Sequence, residues 1–307
     1  MATTPPATGL QTTATTVGFV GLGHMGGAMA ARLLAAGHQV VGTRRSRSRA
    51  EGLLRQGLQW RDSPREVAAS ADVLVTSLPD DRTLDTAASG PDGLLAGLRE
   101  KAVWVEMSTV SPRVSRELAA CARKSRATLL DAPVSGSVPQ ARAGTLTIMV
   151  GGDRDAYDHV EPLLGELGSP THVGPNGQGL VLKLAINISL AVQMLAFSEG
   201  LLLATRSGID PGLARDVMAS SAIGSPMLKA RAPLVFDLPS EAWFSLALMH
   251  KDVGLARDVA RRLGVPLPTA DRAEQLLSLA AVLGYEDQDL AALYRVLEET
   301  SDSTAAA

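Results

Sequence analysis

Between Thr16 and about residue 173, short apolar runs alternate with stretches of helical spacing. Residues 17–20, 39–41, 72–76, 102–106, 128–130 and 146–150 are rich in β-branched side chains and predict six strands. Residues 25–36 predict a helix closed by Gly37, residues 46–56 one capped by Ser46, and residues 112–124 one capped by Ser111. Strands alternating with helices imply an α/β domain, a doubly wound parallel sheet of Rossmann type covered on both faces. After Gly179 the strand pattern stops. Helical spacing then covers about 180–207, 211–221, 226–234, 242–263, 269–283 and 288–299, with breaks at Gly208, Pro211, Gly224, Pro239, Gly264, Pro266 and Pro268. The chain therefore divides into a tail at 1–15, a dinucleotide-binding domain at 16–176, an all-helical substrate and dimerisation domain at 177–300, and a second tail at 301–307. The 180–207 helix would run about 40 Å. A small domain cannot cover that length alone, which predicts a homodimer or homotetramer assembled through it.

Composition narrows the class. The chain has 307 residues, 46% hydrophobic and 20% charged, values ordinary for a soluble two-domain protein. A net charge of −3 gives no reason to expect nucleic acid or an anionic membrane as partner. The one cysteine, Cys121, excludes a disulfide framework, and the first fifteen residues lack the charged start and apolar core of a signal peptide. Both point to the cytoplasm. Lys183, Asn187, Gln193 and Glu199 interrupt the most apolar stretch and argue for a helix buried in protein, not in a membrane.

Two groups of residues carry chemistry. Gly21-Leu22-Gly23-His24-Met25-Gly26 follows the first strand and opens the first helix. In that context the first glycine permits the turn, the second admits a pyrophosphate to the backbone, and the third lets helix pack on strand. Free N–H groups at the helix start then face the phosphates. An acidic residue at the end of the second strand would hold a ribose 2′-hydroxyl, but here the strand runs into Thr43-Arg44-Arg45-Ser46. Guanidiniums and a hydroxyl suit a 2′-phosphate, so the cofactor expected is NADP(H).

The second group is Lys183 with Asn187 one turn on, in a chain that has only five lysines among its 29 basic residues. Leu, Val, Ala and Ile surround the lysine. Burial would lower its pKa toward the range of proton transfer, which an arginine could not enter. A lysine snorkelling out of an apolar helix is the competing reading.

With these motifs the chain resembles the β-hydroxyacid dehydrogenase family, which includes 3-hydroxyisobutyrate dehydrogenases and glyoxylate/succinic semialdehyde reductases. The glycine loop, Asp131-Ala132-Pro133-Val134-Ser135-Gly136-Ser137 leading into Gly144-Thr145-Leu146, Gly177-x-Gly179-x-x-x-Lys183-x-x-x-Asn187, and Met249-His250-Lys251-Asp252 all match, over nearly the whole length. The resemblance implies that Lys183 is the general acid/base and that Asn187 orients substrate or lysine. It implies that Ser135, Gly136 and Ser137 bind a substrate carboxylate, that Leu78-Pro79 and Ser108-Thr109 touch the cofactor, and that Lys251 closes over it. Many hydroxyisobutyrate enzymes have a glycine where this chain has Ser137. The semialdehyde reductases have the serine but follow it with basic residues, where this chain has Val138-Pro139-Gln140. The implied activity is NADP(H)-dependent interconversion of a small 3-hydroxy acid with its semialdehyde or oxo acid. An imine reductase of the same fold and a non-catalytic nucleotide-binding scaffold are the alternatives; relatives of those kinds usually replace or lose the lysine.

Overall fold

The computed structural model describes residues 15–305. The N-terminal tail expected at 1–15 lies almost wholly outside them. Nine strands form one sheet: β1 Thr16–Val20, β2 Gln39–Thr43, β3 Gln59–Trp60, β4 Val73–Thr76, β5 Val103–Glu106, β6 Thr128–Asp131, β7 Val134–Ser135, β8 Leu146–Gly151 and β9 Gly168–Gly174. Their order is β3-β2-β1-β4-β5-β6-β8-β7, with β9 also paired to β8. From β3 to β6 every pairing is parallel. β8 runs antiparallel to β6 and β7, so the sheet is parallel-dominated rather than wholly parallel as expected. The order reverses between β1 and β4, and a doubly wound sheet offers its ligand crevice at that switch point.

Alternate residues explain why both faces are covered. Val17, Phe19, Val73, Val75, Val103 and Val105 enter one apolar cluster, whereas Val20, Leu74 and Trp104 enter the other. β4 and β5 are buried along their whole length, as parallel strands between two helical layers must be. The three unexpected strands are weak signals. β3 and β7 have two residues each, and β9 is a partly exposed run containing Gly168 and Pro170.

The expected 46–56 helix is broken. Arg47–Ala50 forms a 3-10 turn, the α-helix is confined to Glu51–Arg55, and Ser46 is extended with its hydroxyl 2.9 Å from that of Ser48. Ser46 therefore caps nothing. Ser111 does cap its helix, accepting from the Arg113 N–H at 3.2 Å.

After Gly174 the chain is helical. The long helix, Gln178–Arg206, contributes Met194, Phe197 and Leu201 to a core shared with Leu246, Met249 and Val253 of the Leu246–Leu263 helix and with Leu277 and Leu293. Burying one such side chain is worth about 1.5–3 kcal/mol. By length and composition the long helix could cross a membrane, yet it carries the buried polar residues Lys183, Asn187 and Ser198. Residues 242–245, expected as helix, form an irregular, bent segment that ends in the extended Ser245. The Trp243 and Phe244 N–H groups both donate to Asp289 Oδ2, at 2.9 and 3.1 Å, and Ser245 caps the helix that follows. The last helix, Leu293–Ala305, runs past residue 299, where the helical reading of the sequence stopped, and into the tail expected at 301–307.

Candidate active site

The glycine loop sits at the switch point, and its three glycines have different reasons. Gly21 has φ +98°, and a Cβ there would lie 2.2 Å from the Ser77 carbonyl. At Gly26 a Cβ would lie 1.9 Å from the Gly21 carbonyl. A Cβ on Gly23 would meet nothing within 4 Å. Two glycines thus fit the protein to itself, while the third faces open space. Gly23 also starts the His24–Ala35 helix without a side-chain cap and with no acid in its first turn, so the N–H groups there are available to an anion. Leu22 is buried, Met25 half-buried, and His24 projects to within 3.7 Å of Glu241 from the helical lobe. That contact is exposed on both sides and contributes little.

At the end of β2, Arg44 is half-buried and donates to the Arg49 carbonyl at 3.0 Å. Burial, followed by the positive charges of Arg49 and Arg45, holds its pKa below the usual arginine value. Arg45 is exposed and Ser46 stands beside it. Four arginines lie between residues 44 and 49, three of them exposed, with no acid among them. A dianionic 2′-phosphate would relieve that repulsion.

The loops after β4 and β5 are tied together. The Leu78 N–H donates to Ser108 Oγ at 2.8 Å, and the Ser108 N–H donates to Glu106 Oε1 at 2.8 Å. Pro79 is exposed and Thr109 half-buried. Thr109 O accepts from Lys251 Nζ, so the lysine of the helical lobe reaches the loop after β5. Glu106 is fully buried; desolvation, opposed by its hydrogen bonds to Ser108, pushes its pKa up to about 8.

Lys183 lies in the seam between the lobes with 8% of its surface exposed, which removes the snorkelling alternative. Burial lowers its pKa to about 8. Asp252 opposes the shift, while Lys251 and Arg231 add to it. Asn187 Nδ2 donates to Asp252 Oδ2 at 2.6 Å, and Lys251 Nζ lies 3.0 Å from Asp252 Oδ1. One carboxylate therefore holds Asn187 and Lys251 and faces Lys183. The buried Asn187 Oδ1 keeps an acceptor with no partner among the described residues.

The segment expected to bind a carboxylate begins at β7 and runs into the Val138–Ala143 helix. Ser135 is half-buried and its hydroxyl has no hydrogen-bond partner among the described residues. Gly136 has φ +136°, which favours glycine. Ser137, expected to bind substrate, is occupied otherwise. Its N–H and its hydroxyl both donate to Gln140 Oε1, at 3.0 and 2.6 Å, at the start of the Val138–Ala143 helix.

Sequence reasoning missed Asp252, Arg231, Glu106 and Asp131 as members of the site's surroundings. Asp252 follows Lys251 in the quoted motif, and Glu106 is the one charged residue of β5, so both left a trace. Arg231 sits in an ordinary amphipathic helix and left none.

Two family models divide the chain between them. The NAD binding domain of 6-phosphogluconate dehydrogenase matches residues 16–176, and the NAD-binding domain of NADP-dependent 3-hydroxyisobutyrate dehydrogenase matches residues 177–297. The 3-hydroxyisobutyrate dehydrogenase of Pseudomonas aeruginosa is 36% identical over 284 residues, covering 90% of this chain and 95% of its own. The chain belongs to the β-hydroxyacid dehydrogenase family. Among solved structures, the Mycobacterium tuberculosis 3-hydroxyisobutyrate dehydrogenase with L-serine matches with a TM-score of 0.80 and 33% identity, over 92% of this chain and 99% of that one. Psf3 in complex with NADP+ and 2-OPP matches with a TM-score of 0.85 and 29% identity, over the same shares. The family's fold, its nicotinamide-binding domain and its oxidoreductase chemistry on CH–OH groups are thereby those of this chain's relatives.

Proposed function

We propose that the protein is an NADP(H)-dependent oxidoreductase that interconverts a small 3-hydroxy acid and its semialdehyde or oxo acid. The observation that carries this reading is the buried Lys183 amine, its pKa lowered by burial to about 8, near Asp252 and one helical turn from Asn187, which donates to Asp252. When bound, the nicotinamide supplies or accepts the hydride. The chain does the rest. The Ser135 hydroxyl and the Gly136 N–H hold the substrate carboxylate and so fix the neighbouring carbon. Ser137 shapes that loop through Gln140. In reduction, protonated Lys183 gives its proton to the oxygen that becomes an alkoxide and stabilises that charge. In oxidation, neutral Lys183 takes the hydroxyl proton. Asn187 Oδ1 accepts from the ammonium or from the substrate hydroxyl and aligns the transfer.

Arg45, with Ser46 beside it, supports NADP(H) over NAD(H), and the NADP+ complex of a structural neighbour agrees. The lysine itself favours C=O over C=N reduction and favours catalysis over a scaffold role. The single thiol Cys121 supports a cytoplasmic site of action.

A panel of semialdehydes and cyclic imines, run with NADPH and with NADH, tests the assignment. Turnover of a carboxylate-bearing semialdehyde with NADPH is expected, and Lys183→Ala should lose at least about 10³-fold in kcat with NADPH still bound. Arg45→Ala should weaken NADPH about 10- to 100-fold and NADH far less. Near-normal kcat in Lys183→Ala would remove the lysine from the chemistry. A preference for NADH in the parent enzyme would refute the arginine reading.

A further inference from the structure

The long helix has no cap of its own. Its N-cap is Gly177, at φ +92°, which offers no side chain to the N–H groups of the first turn. Those groups are met from across the sheet. Asp131, the last residue of β6 and completely buried, accepts from the Gly177 N–H with Oδ1 at 2.6 Å and from the Leu180 N–H with Oδ2 at 3.1 Å. Asn176 Nδ2 approaches Oδ1 at 3.5 Å while donating to the Leu129 carbonyl at 2.8 Å. A carboxylate alone supplies two acceptors in this geometry, and a negative charge suits the helix N-terminus. The surroundings are trimmed to fit. A Cβ on Gly151 would lie 2.8 Å from both carboxylate oxygens, and a Cβ on Gly179 would lie 2.9 Å from Oδ2.

The two ends of this contact are both functional. Four residues after Asp131 comes Ser135, and three residues after Leu180 comes Lys183. We propose that Asp131 is a positioning residue that fixes the catalytic lysine relative to the carboxylate-binding loop, by clamping the first turn of the long helix onto the end of β6. Its own burial pushes its pKa up, to about 6, against the helix N–H groups that lower it, so it is ionised at neutral pH. The neighbouring carboxyl, Glu106, is its register partner on β5; burial and the nearby Asp131 charge push it higher still, to about 8, so Asp131 is the more readily ionised of the two.

The inference rests on the reading of Lys183 as proton donor, and the experiment keeps the two apart. Asp131→Asn retains size and one acceptor but turns an NH2 group toward a backbone N–H. The first turn must then shift, and a displacement near 1 Å can cost about 100-fold in rate. In the full-length enzyme, Asp131→Asn is expected to lose 10- to 100-fold in kcat, with the dissociation constant for NADPH, measured by fluorescence titration, within about twofold of the parent. Gly151→Ala, which touches the clamp and neither Lys183 nor the cofactor loops, should give the same split, and it decides the matter if Asp131→Asn does not fold. Unchanged kcat in a folded variant overturns the proposal. So does a loss of kcat that tracks the folded fraction, with NADPH affinity falling in parallel, because that marks a merely structural residue. Lys183→Ala, run alongside, reports on the lysine alone: activity retained there sinks the proton-donor reading whatever Asp131 does.

Discussion

Lys183 is expensive to bury, and the cost has a sign that can be measured. A depression from 10.5 to about 8 corresponds to about 3 kcal/mol of charged-state penalty in the folded protein. Above pH 10.5 the amine is neutral folded and unfolded, and the penalty vanishes. As pH falls from 10.5 to 8 the unfolded chain takes up the proton first, so stability declines, and below 8 the penalty is constant. Lys183→Met keeps the volume and removes the charge. Chemical denaturation at pH 7 should find it about 1–3 kcal/mol more stable than the parent, with the gain fading toward pH 10.5, although inactive. A destabilised Lys183→Met at pH 7 would mean that Asp252 more than compensates the ammonium. Lys183 was legible in the sequence because an apolar helix has few reasons to hold a lysine. Asp131 and Glu106 were visible only as a motif residue and a lone strand charge; their burial was not legible, because a carboxylate at the end of a strand reads as a solvated loop residue until the fold shows what lies over it. The Ser137 hydroxyl donates to the glutamine three residues on, a pairing that the motif position did not reveal.

Among the elements, the glycine loop gives the clearest contrast between folding and binding. Gly23→Ala puts a methyl where no protein atom lies within 4 Å. Its melting temperature should match the parent's, while NADPH affinity falls at least about tenfold, by calorimetry, because the methyl occupies the pyrophosphate path. Gly26→Ala puts a Cβ 1.9 Å from a carbonyl oxygen that cannot move freely. Its loss should appear first in stability, by about 2 kcal/mol or more. The reverse pattern would mean that the phosphates do not pass over Gly23. Element type was legible where burial was two-sided, as in β1, β4 and β5, because those runs are continuous and β-branched. Two-residue strands and an edge strand with glycine and proline carry too little pattern to be found. The turn after Ser46 is 3-10 and not α; the Ser46 hydroxyl pairs with that of Ser48 and caps no first-turn N–H.

At the scale of the whole molecule, two lobes meet through few polar links. Asp131 ties the long helix to the sheet, and Lys251 ties the Leu246–Leu263 helix to the Thr109 loop. The surroundings of Lys183 are shared by the elements that these links join, so their geometry depends on how the lobes are held. The helical lobe also leaves Leu203, Leu213 and Val217 exposed by 74%, 58% and 57%. Apolar surface of that kind supports the expected association of copies through the long helix. Light scattering at micromolar concentration should give a mass of two or four chains, and Leu203→Arg with Leu213→Arg should lower it. A monomeric parent would contradict the assembly.

The proton carried by Lys183 is tested most directly by kcat against pH in both directions on one enzyme. Reduction needs the ammonium and oxidation the free amine, so the two profiles should turn at a common apparent pKa near 8 with opposite slopes, reduction falling and oxidation rising. Profiles that are flat between pH 7 and 9, or that slope the same way in both directions, would contradict it.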